Sequence, residues 1–482
     1  MENKTSLKEV ATKGMLWNSI EKFSVQGSQF LIGILLARLL IPADFGLIGM
    51  IAIFIAIAQT FVDSGMGSGL IQRQNRSLED YSTVFVFNFV VSLFFYILLF
   101  ISAPYIADFY NTPALIPITR VIGINIIINS LSIVQRSMLT VELNFKTLAK
   151  INILSIMISG VCAIYFAYTG FGVWSLVYRQ LIGSIVSVVL FWYFSKWKTS
   201  FVFSKKSFKD LFGYGSKILA SGIYAQIFQN MYNIFIGKAY SASNLGFYTQ
   251  AKQLAEVTAG TVTSILQQVT FPILAALQDD KERMILVYRR LIRMTAFFIF
   301  PTMTILAVLA DPFVNFFLGT KWMPMVPLLQ WMCFARILYP LSALNMNILN
   351  ANGRSDLFLK VDLSKAPLTI IALIITIPIS LKAMIVGQVI TTFISFFINA
   401  YLPGKLYGYG PFSQIRDIWP IIVTTLITAL VTYSSIQFIH FLILKLTIGS
   451  LIAIAVYFAF SYLFKIQEIE EINSLLRSFK KR

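Results

Sequence analysis

Fourteen long apolar stretches fill almost the whole of this 482-residue chain, and the first six are echoed by the next six about 200 residues later. A hydrocarbon core about 30 Å thick needs about 20 apolar residues per crossing helix. The stretches run approximately over 15–40, 45–70, 82–107, 114–139, 148–169, 172–195, 211–237, 247–275, 291–310, 325–350, 361–380, 383–402, 418–438 and 441–464. Apolar residues make up 57% of the chain, against roughly 45–50% in soluble domains. The expected fold is therefore an all-α integral membrane protein of about fourteen transmembrane helices.

The echo is read by shifting the sequence against itself. At a shift of 200, ARLLIPADFG at 37–46 falls on GKAYSASNLG at 237–246, so that Arg38 meets Lys238 and Gly46 meets Gly246. Gln26 and Gln29 fall on Gln226 and Gln229, and at a shift of 210 Pro117 meets Pro327 and Lys150 meets Lys360. Their common order makes chance a poor explanation. Six helices per repeat is an even number, so both halves enter the membrane from the same side as parallel repeats. The expected organisation is a six-helix lobe over 1–209, a second over 210–410, and two added helices with a basic tail over 411–482. Such lobes place a substrate site between them, and transport follows from rocking one against the other.

The formal net charge is +18. With the N-terminus inside, inner loops and tails hold roughly 25 Lys or Arg, including Lys205, Lys206, Arg289, Arg290, Lys360, Lys480, Lys481 and Arg482, against about four in outer loops. Basic residues are retained on the cytoplasmic side during insertion, which sets both termini inside. The excess is thus a topology signal with some attraction to anionic membrane lipid, and nucleic acid is not an expected partner. The charged, polar start carries no small-residue cleavage site, so no cleavable signal peptide is expected. Cys162 and Cys333 lie singly inside predicted helices and have neither disulfide nor metal spacing.

Polar residues recur at helical spacing within several spans. Asn18, Lys22, Gln26 and Gln29 share one face of the first span, with Glu21 beside it. Gln226, Gln229, Asn230 and Asn233 do so on the seventh, Thr249, Lys252, Gln253, Glu256 and Thr263 on the eighth, and Asn125, Asn129, Ser132 and Arg136 on the fourth. In lipid such faces are expected to line a bundle interior or a wet cavity, or else to hold helices together by hydrogen bonds. Of the embedded cations, Lys22, Arg120, Arg179, Lys252 and Arg336 are candidates for an anionic ligand, with Gln26, Gln226 and Asn230 as polar neighbours. Several basic groups around one cavity suit a diphosphate through charge-assisted hydrogen bonds; the alternative is snorkelling or structural ion pairing. Among the acids, Glu21, Asp63 and Glu256 are the most embedded. Each can bind a coupling proton or sodium ion or pair with a neighbouring cation, and both readings stay open. No catalytic constellation appears. With one histidine there is no metal-ligand cluster, and GYGS at 213–216 lacks the Walker lysine pattern, so no cofactor is expected.

ARLLIPADFG at 37–46 followed by FVDSGMGSGLIQR at 61–73 resembles the Wzx-type polysaccharide exporters. The likeness is to the WzxC-like lipopolysaccharide-biosynthesis branch of the multidrug/oligosaccharidyl-lipid/polysaccharide (MOP) superfamily, and it extends over essentially the whole chain. It implies a flippase of the bacterial inner membrane that moves undecaprenyl-diphosphate-linked oligosaccharides between leaflets, alongside polymerase or glycosyltransferases of the same pathway. A cation-coupled multidrug exporter of the same superfamily is the rival reading. That rival favours an acidic, aromatic pocket, whereas the embedded charges here lean basic.

Overall fold

A backbone in hydrocarbon must satisfy its own hydrogen bonds, which leaves the helix as the natural state of every apolar stretch in this chain. The computed structural model describes residues 4–195, 197 and 201–471. Lys480, Lys481 and Arg482 lie outside these residues, as does the Asn18 side chain. In order, the helices are α1 (Lys4–Leu39), α2 (Pro42–Asp63), α3 (Met66–Gln72), α4 (Leu78–Tyr110), α5 (Leu115–Ser130), α6 (Ile133–Val141), α7 (Phe145–Tyr168), α8 (Val173–Phe194), α9 (Lys205–Ala239) and α10 (Ala242–Ala276). They continue with α11 (Lys281–Val308), α12 (Ala310–Phe317), a 3₁₀ turn at Thr320–Met325, α13 (Val326–Ile337), α14 (Tyr339–Ala351), α15 (Ser355–Ser364), α16 (Ala366–Thr376), α17 (Leu381–Tyr407), α18 (Pro411–Gln437) and α19 (Leu442–Leu463).

Among the described residues there is no strand, and ten helical segments are long and apolar enough to cross a membrane. The all-helical, multi-pass membrane fold expected from the sequence is borne out. By length and composition, that measure reaches ten of the fourteen expected crossings. Outside the ten are α1, α9, α10 and the broken pair α15–α16. The first three carry the polar stripes at 22–29, 226–233 and 249–263, which lower their mean apolarity.

Breaks in the helices have local causes. Proline at the first turn starts α2, α14, α16 and α18, where its missing N–H leaves no bond unmade. Asp44 in the first turn of α2 accepts the Ile41 N–H at 3.1 Å, closing that corner. Between α2 and α3, Ser64 and Gly65 adopt left-handed conformations with φ of 42° and 67°.

The chain resolves into two compact units, 1–246 and 247–482. Within the first, α7 packs along both α1 and α8, α4 along α5, and α2 along α9. Small residues allow these close approaches: a Cβ at Gly160 would overlap Ile32, and one at Gly183 would press on Ser159 at 3.3 Å. Two repeat-related corners of this unit interlock. A Cβ at Gly46 would run into the carbonyl of Ala242, and one at Gly246 into that of Pro42. The shift of 200 pairs 42 with 242 and 46 with 246, so residues matched by the repeat meet one another reciprocally. Within the second unit, α11 packs on α18 and α13, and α17 on α13 and α14. Tyr288, Asn345 and Gln414 form a buried hydrogen-bonded triangle there, Gln414 Nε2 donating to Asn345 Oδ1 at 2.7 Å and to the Tyr288 hydroxyl at 3.1 Å. A satisfied polar network of this kind locks helix register.

Candidate substrate cavity

Polar residues of α1, α5, α7 and α8 line a cavity of about 770 Å³ inside the first unit, completed by α2; of the stripes expected from the sequence, those of α1 and α5 contribute to it and those of α9 and α10 do not. From α1 come Glu21, Lys22 and Gln29; from α2, Gln59; from α5, Asn125 and Asn129. From α7 come Asn152, Ser155 and Ser159, and from α8 Arg179, Gln180, Ser184 and Ser187. Apolar side chains such as Ile48, Ile51, Ile55 and Ile122 fill the spaces between. The wall is therefore apolar with convergent polar groups, the composition of a ligand site rather than of a lipid-facing surface.

Three charges face this space: Glu21, Lys22 and Arg179. The carboxylate of Glu21 accepts a hydrogen bond from Asn152 Nδ2 at 2.5 Å. Among the described residues, neither Lys22 nor Arg179 has an ion-pair or hydrogen-bond partner, and both are half-buried. The acid is thus held by a neutral amide, and the two cations are left to the cavity. Asn129 Nδ2 donates to Gln59 Oε1 at 3.5 Å across the floor, while the Asn125 carbonyl oxygen is buried without a partner among the described residues. A buried polar atom left so is satisfied by water or ligand.

The remaining candidates lie elsewhere. Lys252, Glu256 and Arg336 form a second cluster, in the other unit. There the Arg336 guanidinium bonds the Glu256 carboxylate at 2.6 Å and stands 5.7 Å from the Tyr339 ring, with Lys252 one turn before Glu256 on α10. Gln226 and Asn230 belong to a ladder along α9, Asn230 Nδ2 donating to the Gln226 carbonyl at 3.0 Å and Asn233 Nδ2 to Asn230 Oδ1 at 3.3 Å. Gln26 is half-buried on α1 and does not line the cavity. Arg120, half-buried, sits 4.3 Å over the Phe100 ring and donates to the Phe100 carbonyl at 3.4 Å, and it is not among the residues lining the cavity. Asp63 is exposed at the C-terminus of α2, in the field of Arg136.

Sequence reading missed Gln59, Asn152, Gln180, Ser184 and Ser187. A signal was there: 152, 155 and 159 follow i, i+3, i+7, and 180, 184 and 187 follow i, i+4, i+7. Uncharged polar residues inside strongly apolar spans stand out less than lysines do.

An all-helical bundle with ten membrane-length apolar helical segments among the described residues defines a multi-pass membrane protein, and its first unit holds a chamber lined by amides, hydroxyls and two cations. A profile of the family described as polysaccharide biosynthesis protein matches residues 35–327, and the chain belongs to that family. Over 360 residues it is 28% identical to the teichuronic acid biosynthesis protein TuaB of Bacillus subtilis (strain 168), covering 73% of each chain. Identity to the lipopolysaccharide biosynthesis protein WzxC of Escherichia coli (strain K12) is 25% over 437 residues, 89% of this chain and 88% of that one. Among solved structures, the lipid II flippase MurJ in an inward closed conformation superposes with a TM-score of 0.77 at 17% identity, covering 94% of this chain and all of that one. An inward-facing multidrug resistance MATE transporter of the MOP superfamily gives a TM-score of 0.63 at 17% identity, covering 82% of this chain and 97% of that one. The resemblance read from residues 37–46 and 61–73 is borne out.

Proposed function

We propose that this protein is a flippase, a transporter and not an enzyme, that carries polyprenyl-diphosphate-linked oligosaccharide units across the bacterial inner membrane for surface polysaccharide synthesis. The observation that carries this reading is the pair of unpartnered cations, Lys22 and Arg179, on one polar cavity. A diphosphate brings anionic oxygens that accept charge-assisted hydrogen bonds from an ammonium and a guanidinium. The amides of Gln29, Gln59, Asn125 and Asn129 and the hydroxyls of Ser184 and Ser187 offer donors and acceptors of the kind sugar hydroxyls need. The polyprenyl tail, as apolar as the bilayer, has no reason to leave it.

Transport then requires the cavity to open alternately to each leaflet, with differential affinity in the two states supplying direction. Both termini are cytoplasmic in this reading, and the membrane potential contributes about 2.3 kcal/mol per elementary charge per 100 mV. A proton or sodium ion at an embedded carboxylate, Glu21, Asp63 or Glu256, is the coupling partner it admits. Polymerase and glycosyltransferases of the same pathway are the proteins expected to work beside it. The multidrug exporter shares the fold, but Lys22 and Arg179 would repel the cationic drugs such a pocket has to hold.

The test replaces Lys22 and Arg179 together with Gln and measures surface polysaccharide at matched membrane levels of the protein. Loss of the polysaccharide is expected. Normal export, or expression-dependent drug resistance without a glycan phenotype, would overturn the proposal.

A further inference from the structure

A second site lies within the unit 247–482, and its origin is a broken helix. The shift of 210 aligns Lys150 of α7 with Lys360 of α15 and puts Met157 where the second repeat has Pro367. With methionine at that place, α7 runs unbroken from Phe145 to Tyr168. With proline, which lacks an N–H and crowds the preceding turn, the corresponding helix breaks into α15 and α16 at Lys365. Beyond the break the hairpin with α17 is tight: a Cβ at Gly387 would stand 2.9 Å from Thr376 Cγ2. Before it, α15 leans onto α14, burying Val361 against Met346 and Leu349. A groove of about 420 Å³ opens between α15 and α17, walled by Ser364, Phe397 and Tyr401, with Lys360 at its edge.

The charges around this groove are unequal. Arg354 pairs with Asp356 at 3.0 Å and Lys365 with Asp362 at 2.7 Å. Among the described residues, the third cation of the segment, Lys360, has no partner, and neither has the Tyr401 hydroxyl on the facing helix. The acids of α15 are thus spent on the flanking cations Arg354 and Lys365, and one ammonium and one phenol remain among the residues lining an apolar groove. An apolar groove bordered by unmatched donors complements a molecule with a hydrocarbon chain and an anionic head. The surrounding solvent of a membrane protein is made of such molecules.

We propose that this groove is a binding site for an anionic phospholipid, one acyl chain lying between α15 and α17 and the headgroup phosphate held by Lys360 and Tyr401. The lipid fills the space that the Pro367 break leaves unpacked. This inference does not depend on the cargo of the cavity in the other unit.

The experiment uses the purified full-length protein in detergent and phosphatidylglycerol bearing a photoreactive group on one acyl chain, with phosphatidylcholine of the same chains as control. Labelled peptides are mapped by mass spectrometry. Phosphatidylglycerol is expected to label the stretch 397–402 at least fivefold more than phosphatidylcholine does. Lys360→Gln, at an exposed position, is expected to erase that preference while labelling elsewhere stays constant. Ser364→Trp, which fills the slot, is expected to abolish labelling there by both lipids, with an unchanged melting temperature showing that the fold is kept. Equal labelling by both lipids, or labelling indifferent to Lys360→Gln, would overturn the proposal. So would labelling of the stretch by a photoreactive polyprenyl phosphate that phosphatidylglycerol does not compete away, because the occupant would then be the carrier lipid.

Discussion

The two units hold the same charged ingredients, two cations and one carboxylate, and wire them differently. Around the cavity of the first, Glu21 is engaged by Asn152, and Lys22 and Arg179 stay unmatched. In the second, Glu256 is engaged by Arg336 itself. An ion pair between Arg336 and Glu256 offsets one charge with the other, although Arg336 Nε keeps no partner among the described residues, whereas an acid held by a neutral amide leaves the neighbouring cations uncompensated. The contrast teaches that counting embedded charges does not locate an anion site. What matters is which cations the carboxylates leave over.

The comparison breaks most sharply at Lys22 and Arg179. Replacing both with Gln would remove the two charge-assisted hydrogen bonds proposed to the diphosphate, each worth about 1.5–3 kcal/mol. Export of surface polysaccharide is expected to fall at least about tenfold, as measured on cells with matched protein levels; wild-type export would erase the distinction between the units. Next comes Glu256→Gln. Arg336 is 17% exposed and Glu256 45%, so breaking the pair is expected to cost about 1–2 kcal/mol, between the values for exposed and buried pairs. The melting temperature of the purified protein should therefore drop, while Glu21→Gln, which loses no ion pair, should leave it nearly unchanged. Equal drops would show that the two acids do the same job.

A smaller effect sharpens the comparison from the other side. Asn152→Ala frees the Glu21 carboxylate to approach Lys22, making the first unit resemble the second, and export is expected to decline a few-fold with little loss of stability. Unchanged export would mean that the Asn152 contact does not keep the cations available. The smallest effect belongs to Arg120→Gln. With its guanidinium on Phe100 and not on the cavity, this variant is expected to export within about twofold of wild type, the loss of one cation–π contact being worth about 0.5–2 kcal/mol.

Much of this was legible before any coordinates. The stripe of α1 brought Glu21 and Lys22 to notice, and the depth of Arg179 in its span marked it. Lys252, Glu256 and Arg336 were singled out for the same reasons, yet they form a separate cluster in the other unit. Arg120 satisfied the same sequence criterion and lies over an aromatic ring instead. The difference is one of partner, and the partners are remote: Asn152 is 131 residues from Glu21, and Arg336 is 80 from Glu256. The repeat likewise pointed to Gly46 and Gly246 as equivalent, but not to their touching each other's corner.

By itself the sequence determined that the chain is helical, that it belongs in a membrane, and which helix faces are polar, because in lipid each segment must close its own hydrogen bonds and its side chains repeat every 3.6 residues. Only the tertiary structure decided which acid meets which cation, where the polar faces enclose a chamber, and where a proline break leaves a groove. Those outcomes rest on distances between helices far apart in the chain, and electrostatic pairing depends on separation in space, which local periodicity does not encode.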